Sequence, residues 1–342
     1  MKNSIAIIVV AYNGEKWIAK CLQSVFANEY EGKFDVIVVD NSSTDDSVSV
    51  VEKSFPQVDL IKLHENKGFV GGNNVAIKEA IRHKYEYVLL LNQDTELEPD
   101  FLSQIIKVGS QDHVGVTQGM LVLGNERSLT NNMCNAMHYL GFGFVKHYRD
   151  QVSDWKDKEP FEIGYSSGAC MLIKREVIEQ VGLLDEKFFM YHEDLDICWR
   201  ARLAGYKIMI APKAVCYHYY EFNRNKEMFY WTERNRWAVL LQNYSLGTLL
   251  MLGPILLVIE FMMILYSTMS GWLWYKLKSY IWIWLNLFRI LSRRWRVQLN
   301  RKVDDKEIMK HMDIELKMSE VDNPVLDQIV NPMLRFYFRI IK

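Results

Sequence analysis

Two short stretches of the sequence hold the side chains best suited to chemistry. In LLLNQDTELEP, residues 89–99, an apolar run ends directly in Asn92, Gln93 and Asp94. Carboxylate and amide oxygens are the ligands that a hard divalent cation such as Mg²⁺ accepts. The second stretch, EDLD at residues 193–196, offers carboxylates that could take a proton from a hydroxyl group. Both also have structural explanations, because Asp and Asn are common in turns and acids favour the first turn of a helix.

The first 110 residues alternate apolar runs with amphipathic stretches. The runs are short, rich in β-branched residues, and occupy residues 5–12, 34–40, 58–63 and 85–92. Segments with apolar residues at helical spacing separate them. This alternation predicts an α/β fold with a mostly parallel sheet and helices on both faces. Ligands of such sheets bind beyond the carboxyl ends of the strands.

Each predicted strand leads into amide, hydroxyl or carboxylate side chains. The four strand ends are Tyr12-Asn13-Gly14, Asp40-Asn41-Ser42-Ser43, Glu65-Asn66-Lys67-Gly68 and Asn92-Gln93-Asp94. Any one of them could be an ordinary turn or helix cap, but four at one edge favour a polar ligand site. A nicotinamide enzyme is disfavoured because no G-x-G-x-x-G motif follows the first strand, and the sequence has no P-loop motif.

Five ordered segments of the chain resemble family 2 glycosyltransferases. The segments are residues 4–25, 36–47, 65–77, 89–97 and 165–218. The resemblance covers roughly residues 4–240, and the nearest subgroup is the rhamnosyltransferase-like enzymes of bacterial surface polysaccharide assembly. It implies a GT-A fold, a nucleotide-sugar donor linked to dTDP, UDP or GDP, a divalent metal ion, and inversion at the anomeric carbon.

The resemblance assigns the donor site to residues at the strand ends. Asp40 would hydrogen-bond the nucleotide base and Tyr12 would stack on it. Arg234 and Arg236, in the segment RNR, would meet diphosphate oxygens or lipid phosphates, unless they form a solvated basic turn before a helix. The donor-binding residues implied in this way are Tyr12, Asn13, Asp40, Asn41, Asn66, Gly68, Asn92, Asp94 and Arg234.

The same resemblance implies a metal site. The leaving diphosphate develops negative charge, which Mg²⁺ or Mn²⁺ would neutralise. Asp94 would be the main ligand and His218 a second one. The usual D-x-D motif of the family is here Asn92-Gln93-Asp94, so an amide replaces the first carboxylate.

The resemblance also identifies Asp194 as the catalytic base. A direct displacement needs one carboxylate to take the proton of the acceptor hydroxyl. Glu193 would orient Asp194 or meet the acceptor, and Trp199 would also contact the acceptor. Asp196 is expected to pair with Arg200, one helical turn later.

The C-terminal third of the chain changes character. Residues 246–266 are apolar and long enough to cross a bilayer, although Pro254 and Glu260 interrupt them. Residues 271–291 are rich in tryptophan, and the basic cluster that follows, Arg293, Arg294, Arg296, Arg301 and Lys302, suits an anionic leaflet. Either a membrane hairpin with cytoplasmic ends or two helices lying in the interface would fit. Alternatively, these helices pack on the catalytic domain or form a homodimer interface.

These patterns divide the chain into three parts. We expect a catalytic domain at residues 1–240, a membrane-associated helical segment at 241–302 and a charged amphipathic C-terminal tail at 303–342. Within the first part, residues 112–162 have no clear period and predict a mobile acceptor-facing loop with short strands.

Composition narrows the partners. The chain has 41 Lys and Arg against 42 Asp and Glu, which argues against nucleic-acid binding. Its five scattered cysteines fit reduced thiols rather than a disulfide scaffold, and no signal peptide is evident. We therefore expect an enzyme at the cytoplasmic face of the membrane.

The sequence thus predicts an inverting, metal-dependent glycosyltransferase of cell-surface glycan synthesis. Its donor sugar would be rhamnose or another hexose, and its acceptor a lipid-linked sugar or a polysaccharide. Two alternatives stay open. One is a sugar nucleotidyltransferase, disfavoured because no glycine-rich triphosphate loop with Arg and Lys follows the first strand. The other is a non-catalytic glycan- or lipid-binding scaffold on a degenerate transferase fold.

Overall fold

The first half of the chain forms one side of a large central sheet. A computed structural model describes residues 3–219, 226–317 and 324–341. Its first elements are β1 (Ile5–Ala11), α1 (Ile18–Phe26), β2 (Phe34–Asp40), α2 (Ser47–Ser54), β3 (Asp59–Lys62), α3 (Gly68–Arg82) and β4 (Tyr87–Asn92). The strands pair in parallel in the order β4-β1-β2-β3. The four predicted strands and the predicted α/β fold are confirmed.

β1 is buried on both faces, which explains its unbroken apolar sequence. Ile5, Ile7 and Val9 point into one hydrophobic core, and Ala6 and Ile8 point into the other. This alternation follows from the two-residue period of a strand. Helices cover both faces of the sheet. The carboxyl ends of the strands therefore form the edge at which a ligand could reach them.

The middle of the chain completes the sheet. Its elements are β5 (Thr95–Leu97), α4 (Phe101–Gly109), β6 (Val114–Leu123), β7 (Thr130–Asn132), β8 (Cys134–Met137), β9 (Gly143–Lys146), β10 (Phe161–Glu162), β11 (Cys170–Lys174), α5 (Arg175–Val181), α6 (Glu193–Leu203) and β12 (Lys207–His218). The strand order is β10-β12-β6-β11-β4-β1-β2-β3, in which β11 is antiparallel to both of its neighbours.

The prediction of a loop over residues 112–162 is wrong for its first part. β6 is a ten-residue strand in the middle of the sheet, paired with β11 and β12. The polar residues Thr117 and Gln118 interrupt its apolar pattern, yet both are buried. The remainder of the stretch does carry short strands, as expected.

The C-terminal helices pack on α6 and on one another. They are α7 (Lys226–Asn243), α8 (Leu246–Met269), α9 (Leu273–Leu285), α10 (Leu287–Leu299), α11 (Asp305–Met309) and α12 (Asn331–Ile341), the last preceded by a π-helical turn at Leu326–Val330. The charged amphipathic tail predicted at residues 303–342 contains two helices, α11 and α12, and residues 318–323 and 342 of that prediction lie outside the described residues.

A buried ionic cluster joins three of these helices. Arg236 of α7 lies between Glu233 of the same helix, at 3.1 Å, and Glu260 of α8. Lys276 of α9 contacts both carboxylates and lies 2.7 Å from that of Glu260. All four side chains are almost fully buried, so each charge depends on the others for compensation.

The predicted basic surface at residues 293–302 is largely wrong. Arg293 lies 3.0 Å from the Asp185 carboxylate, and Arg301 lies 2.7 Å from that of Asp305. Arg294 donates to the carbonyl oxygens of Leu241 and Tyr244, both at 2.6 Å. These guanidinium groups stabilise the helical packing and are not free to contact a lipid headgroup.

Candidate active site

The ends of β1 and β4 are locked together by one side chain. Gln93 accepts a hydrogen bond from the Tyr12 backbone N–H at 3.0 Å and donates to the Tyr12 carbonyl oxygen at 3.1 Å. A Cβ atom on Gly14 would lie 2.0 Å from the Gln93 side chain, so a larger residue there would displace the Gln93 amide from these two bonds. The turn leaves the Tyr12 ring 45% exposed at the open edge.

Three predicted donor-site asparagines build the neighbouring loops. Asn41 donates to Asn66 Oδ1 at 2.9 Å and to the Gly68 carbonyl oxygen at 3.1 Å. Asn13 accepts from the Thr44 backbone N–H at 2.8 Å. These bonds bring the ends of β1, β2 and β3 to one edge, as predicted.

Asp40 ends β2 beside them. Its carboxylate is 5% exposed and accepts a hydrogen bond from the Ser43 backbone N–H at 3.1 Å. The hydrogen bond of Asp40 to a nucleotide base stays a prediction.

Asp94 and His218 meet beyond the end of β4. Nε2 of His218 lies 3.5 Å from Oδ1 of Asp94 and 3.5 Å from the amide nitrogen of Asn92. Nδ1 of His218 lies 3.1 Å from Oδ1 of Asn131, which fixes the ring orientation. Burial alone would raise the pKa of the Asp94 carboxyl, but the nearby His218 outweighs it and the pKa falls below its usual value. Asp94 is therefore ionised at neutral pH.

This pair could hold part of the coordination shell of a divalent cation. One carboxylate and one imidazole suit Mn²⁺ or Mg²⁺ when substrate phosphates and water supply the remaining ligands. Within residues 3–219, 226–317 and 324–341, no cluster of three or more His, Cys, Asp or Glu side chains could hold a metal ion by itself. A tight site made of protein ligands alone is thus not formed there.

Asp194 lies next to the same strand end. The Asn92 backbone N–H donates to the Ala169 carbonyl oxygen at 3.0 Å, and the adjacent Gly168 N–H donates to Oδ2 of Asp194 at 3.2 Å. One residue of backbone therefore connects the donor end of β4 to the Asp194 carboxylate. Oδ1 of Asp194 accepts the Leu195 N–H at 2.8 Å, in the first turn of α6.

The two neighbouring carboxyls at the start of α6 differ in their ionisation. Burial raises the pKa of Asp194 to about 6, and the N–H groups of Gly168 and Leu195 limit that rise. Burial, and then the charge of Asp194, raise the pKa of Glu193 well above its usual value. Asp194 thus loses its proton before Glu193 does, and a pKa of about 6 suits a general base that is ionised at neutral pH.

Replacing Glu193 with Gln should change how stability depends on pH. The folded protein keeps the Glu193 proton above the pH at which the unfolded chain loses it, so wild-type stability falls as pH rises from about 4.5. Glu193→Gln removes this term. Its stability relative to wild type should then rise with pH by up to about 1.4 kcal/mol per pH unit in denaturant titrations.

The exposed Glu65 provides the control, since its side chain is 77% exposed. Glu65→Gln should leave the slope with pH unchanged. Parallel stability curves for Glu193→Gln and wild type would show that the buried carboxyl is not held neutral.

Three predicted contacts are wrong in this structure. Trp199 has no exposed surface and its ring packs edge-on against Tyr244, so it is a core residue and does not meet an acceptor. Arg234 is 4% exposed and donates to the Phe188 carbonyl oxygen at 3.0 Å, which leaves no free face for a diphosphate. Glu193 is also only 6% exposed, so of its two predicted roles the acceptor contact is not available.

The predicted pair of Asp196 with Arg200 is confirmed. The two groups lie 2.8 Å apart and are almost completely buried. Asn131 was missed by sequence reasoning, because it lies in the stretch without a clear period. Asn235 was missed as well, because its contacts depend on tertiary structure.

Comparisons with known proteins identify a family and relatives that this chain resembles. Residues 2–239 match the family described as glycosyltransferase like family 2. The chain is 26% identical over 203 residues to the low-salt glycan biosynthesis hexosyltransferase Agl10 of Haloferax volcanii, covering 59% of this chain and 62% of that protein. It is 26% identical over 237 residues to the poly-β-1,6-N-acetyl-D-glucosamine synthase of Staphylococcus aureus, covering 68% and 53%. The chain thus spans between half and two thirds of the length of these relatives.

Solved structures share the architecture. The mannosyltransferase PcManGT from Pyrobaculum calidifontis, in complex with GDP-Man and Mn²⁺, superposes with a TM-score of 0.50 at 18% identity, over 86% of this chain and 85% of that one. GalNAc-T7 with UDP, GalNAc and Mn²⁺ gives a TM-score of 0.57 at 14% identity, over 70% and 48%. This likeness concerns the fold alone, and it confirms the predicted GT-A fold. Since the family match covers most of the sequence, including all four strand ends and Asp194, the chain belongs to the family 2 glycosyltransferases.

Proposed function

We propose that this protein is an inverting glycosyltransferase that transfers a hexosyl group from a nucleotide-sugar donor to a lipid-linked or polysaccharide acceptor in cell-surface glycan synthesis. The observation that carries the proposal is the link from Asn92 through Ala169 and Gly168 to Asp194. It sets an ionised carboxylate beside the strand end at which Asp94 and His218 meet.

The chemistry follows from the placement of these groups. Asp194 takes the proton of the acceptor hydroxyl while the oxygen of that hydroxyl forms a bond to the anomeric carbon. The bond from that carbon to the diphosphate oxygen breaks on the opposite face, which inverts the configuration. Asp94 and His218 would hold Mg²⁺ or Mn²⁺, which supplies positive charge for the leaving diphosphate. Tyr12 and Asp40 would bind the nucleotide base.

The relatives support this class of reaction. The matched curated proteins are named as a glycan biosynthesis hexosyltransferase and a polysaccharide synthase. The superposed structures contain GDP-Man or UDP together with Mn²⁺. These names favour a nucleotide-sugar donor and a divalent cation for this chain. Rhamnose is retained as one candidate sugar on the resemblance in sequence.

Calorimetric titration with UDP, dTDP, GDP, CDP and NADH, with and without Mn²⁺, tests the proposal. We expect one nucleoside diphosphate to bind, more tightly with Mn²⁺, and NADH not to bind. Turnover of the matching nucleotide sugar with an acceptor should follow. A parallel assay with a nucleoside triphosphate and a sugar 1-phosphate covers the alternative, since release of pyrophosphate would favour a nucleotidyltransferase. Failure to bind any nucleotide would favour the scaffold.

We also propose that α9 and α10 lie in the surface of a membrane, at its cytoplasmic face. A continuous apolar stripe runs along both helices, with members three or four residues apart and each at least 39% exposed. Its residues are Trp274, Leu277, Ile281, Trp284, Phe288, Leu291, Trp295 and Leu299. Such a stripe on a polar helix suits the boundary between headgroups and acyl chains.

α8 is the one described helix that is long and apolar enough to cross a membrane. Its Glu260 is buried between Arg236 and Lys276, which fixes this helix against α7 and α9. Its outward face, with Leu250, Leu257, Phe261 and Leu265, is exposed and apolar. We therefore favour shallow insertion of the helical part, 241–302, with the catalytic part, 1–240, in the cytoplasm. The described residues of the tail, 303–317 and 324–341, would pack beside the helical part.

Replacing three stripe residues should release the protein from lipid. We expect Trp284→Gln, Phe288→Gln and Trp295→Gln together to lower partitioning onto anionic vesicles by about tenfold or more, because large apolar side chains no longer enter the bilayer. Flotation assays measure this, and unchanged nucleotide binding would show that the catalytic part is intact. If wild type is instead a dimer by light scattering and the variant a monomer, with equal vesicle binding, the stripe is a homodimer interface.

A further inference from the structure

The segment before α6, the helix that begins with Glu193 and Asp194, has an unusual backbone conformation. Phe189, Tyr191 and His192 all adopt left-handed conformations, with φ of 66°, 69° and 67°. Side chains with a Cβ atom rarely adopt this region, and bulky aromatic residues least of all. Three such residues within four positions will keep this shape only if their surroundings hold them in it.

The surroundings include a buried asparagine in the middle of α7. Asn235 has no exposed surface, and Asn is a poor residue for a helix interior because its amide competes with the backbone. Its Nδ2 lies 3.1 Å from the carbonyl oxygen of Phe188, 2.9 Å from that of Met190 and 2.8 Å from that of Tyr191. One amide group thus contacts three carbonyls of the left-handed segment.

Arg234 fixes the orientation of that amide. Its Nε donates to Oδ1 of Asn235 at 3.2 Å, which turns the nitrogen of the amide towards the segment. The same guanidinium donates to the Phe188 carbonyl oxygen and to that of Lys187. It is held over the rings of Trp231 and Trp282, at 4.0 and 4.4 Å from their centroids.

Residues 187–192 connect the donor edge at Gly68 to the proposed base, Asp194. At one end, the Phe189 carbonyl oxygen accepts the Val70 N–H at 3.1 Å, and a Cβ atom on Gly68 would lie 2.4 Å from it. At the other end, His192 directly precedes Glu193 and Asp194. Any shift of the segment would therefore move the base relative to the donor edge at Gly68.

We infer that Asn235, oriented by Arg234, is a positioning residue that holds residues 187–192 so that Asp194 faces the donor edge. The inference rests on the proposed function, in which Asp194 is the base. The inference gives Arg234 and Asn235 of the RNR segment a role in positioning Asp194 rather than in binding the diphosphate. Only a side chain with two amide hydrogens and one acceptor fits this place, because the segment presents carbonyl oxygens and Arg234 presents a donor.

Asn235→Asp tests the inference, since it keeps the shape but sets a carboxylate against three carbonyl oxygens. We expect kcat to fall by about 10²-fold while the dissociation constant of the nucleoside diphosphate changes by less than about threefold. The midpoint of the acid limb of the kcat profile should also move, because the surroundings of Asp194 change. An unchanged kcat and an unchanged midpoint would overturn the inference.

Asn331→Asp is the matched control. Asn331 is a buried asparagine of α12, and its amide donates to the Leu316 carbonyl oxygen at 3.0 Å rather than to the segment. This variant should lower the melting temperature without moving the midpoint of the acid limb. A midpoint that moves equally in both variants would show a general loss of structure and would also overturn the inference.

Two further variants keep the outcomes distinct. If Asn235→Asp does not fold, Arg234→Lys keeps the charge but loses the planar fork, and it should move kcat and the midpoint in the same direction by a smaller amount. Unchanged values there would count against the inference. Retained activity in Asp194→Asn would instead refute the assigned base, whatever Asn235 does.

Discussion

Asp194→Asn should abolish sugar transfer while leaving donor binding intact. The asparagine keeps the size of the side chain but cannot accept the proton of the acceptor hydroxyl. Loss of a general base lowers the rate by about 10²–10⁴-fold, and we expect kcat to fall by at least a factor in that range. The dissociation constant of the nucleoside diphosphate should stay within about twofold, because Asp194 contacts the Gly168 and Leu195 N–H groups rather than the nucleotide edge.

The pH profile adds a second measurement to this prediction. In the wild type, kcat should rise with pH through about 6, the pKa to which burial raises Asp194, because only the ionised carboxylate accepts a proton. Glu193→Gln is the neighbouring control and should keep most of the activity, since burial and the charge of Asp194 favour the protonated form of Glu193, which Gln resembles. Loss of nucleotide binding in Asp194→Asn, or an activity that does not depend on pH near 6, would contradict the assignment of the base.

The strand ends could be read from the sequence because their signal is local. β1 and β4 are continuous apolar runs that end in polar residues, and a parallel sheet brings such ends to one edge. The pairing of Asp196 with Arg200 was also local, one turn apart on one helix. Predictions of this kind needed only the periods of strands and helices.

The errors arose where burial depends on distant parts of the chain. Gln118 made β6 look like a loop, yet its buried amide accepts from the Ser167 N–H at 2.8 Å. Arg293 looked like a lipid contact, yet Asp185, more than 100 residues earlier, neutralises it inside the protein. Trp199 was predicted to contact the acceptor, but no periodicity could show which face of α6 would be covered by Tyr244, the residue that follows α7.

The same limit applies to the RNR segment. Two arginines on either side of Asn235 predict a phosphate contact when this part of the sequence is read alone. In the structure, Arg234, Asn235 and Arg236 are all buried, and they face the catalytic segment or the ionic cluster of α8 and α9. Trp282 of α9 contacts Arg234 directly, so a change in the packing of α9 would also shift the segment that precedes Asp194.

Asp94→Asn should remove the metal dependence of donor binding. Asp94 supplies the single carboxylate at the end of β4, and with Asn in its place the site would keep only neutral donors beside His218. Titration of the cognate nucleoside diphosphate should show that the gain in affinity on adding Mn²⁺, expected to be about tenfold or more, disappears. Affinity measured without Mn²⁺ should change little. Equal metal enhancement in Asp94→Asn and wild type would remove Asp94 from the metal site.

Asn92→Asp provides the opposite change and thereby the stronger test. It restores two carboxylates around Gln93, and the new one would lie at the position where the Asn92 amide now approaches His218 to 3.5 Å. We expect the Mn²⁺ concentration for half-maximal donor binding to fall by about tenfold, because a second carboxylate strengthens the attraction of the site for a divalent cation. If both substitutions leave the Mn²⁺ titration unchanged, the cation acts elsewhere. If Asp94→Asn weakens and Asn92→Asp strengthens it, the two side chains share one ion.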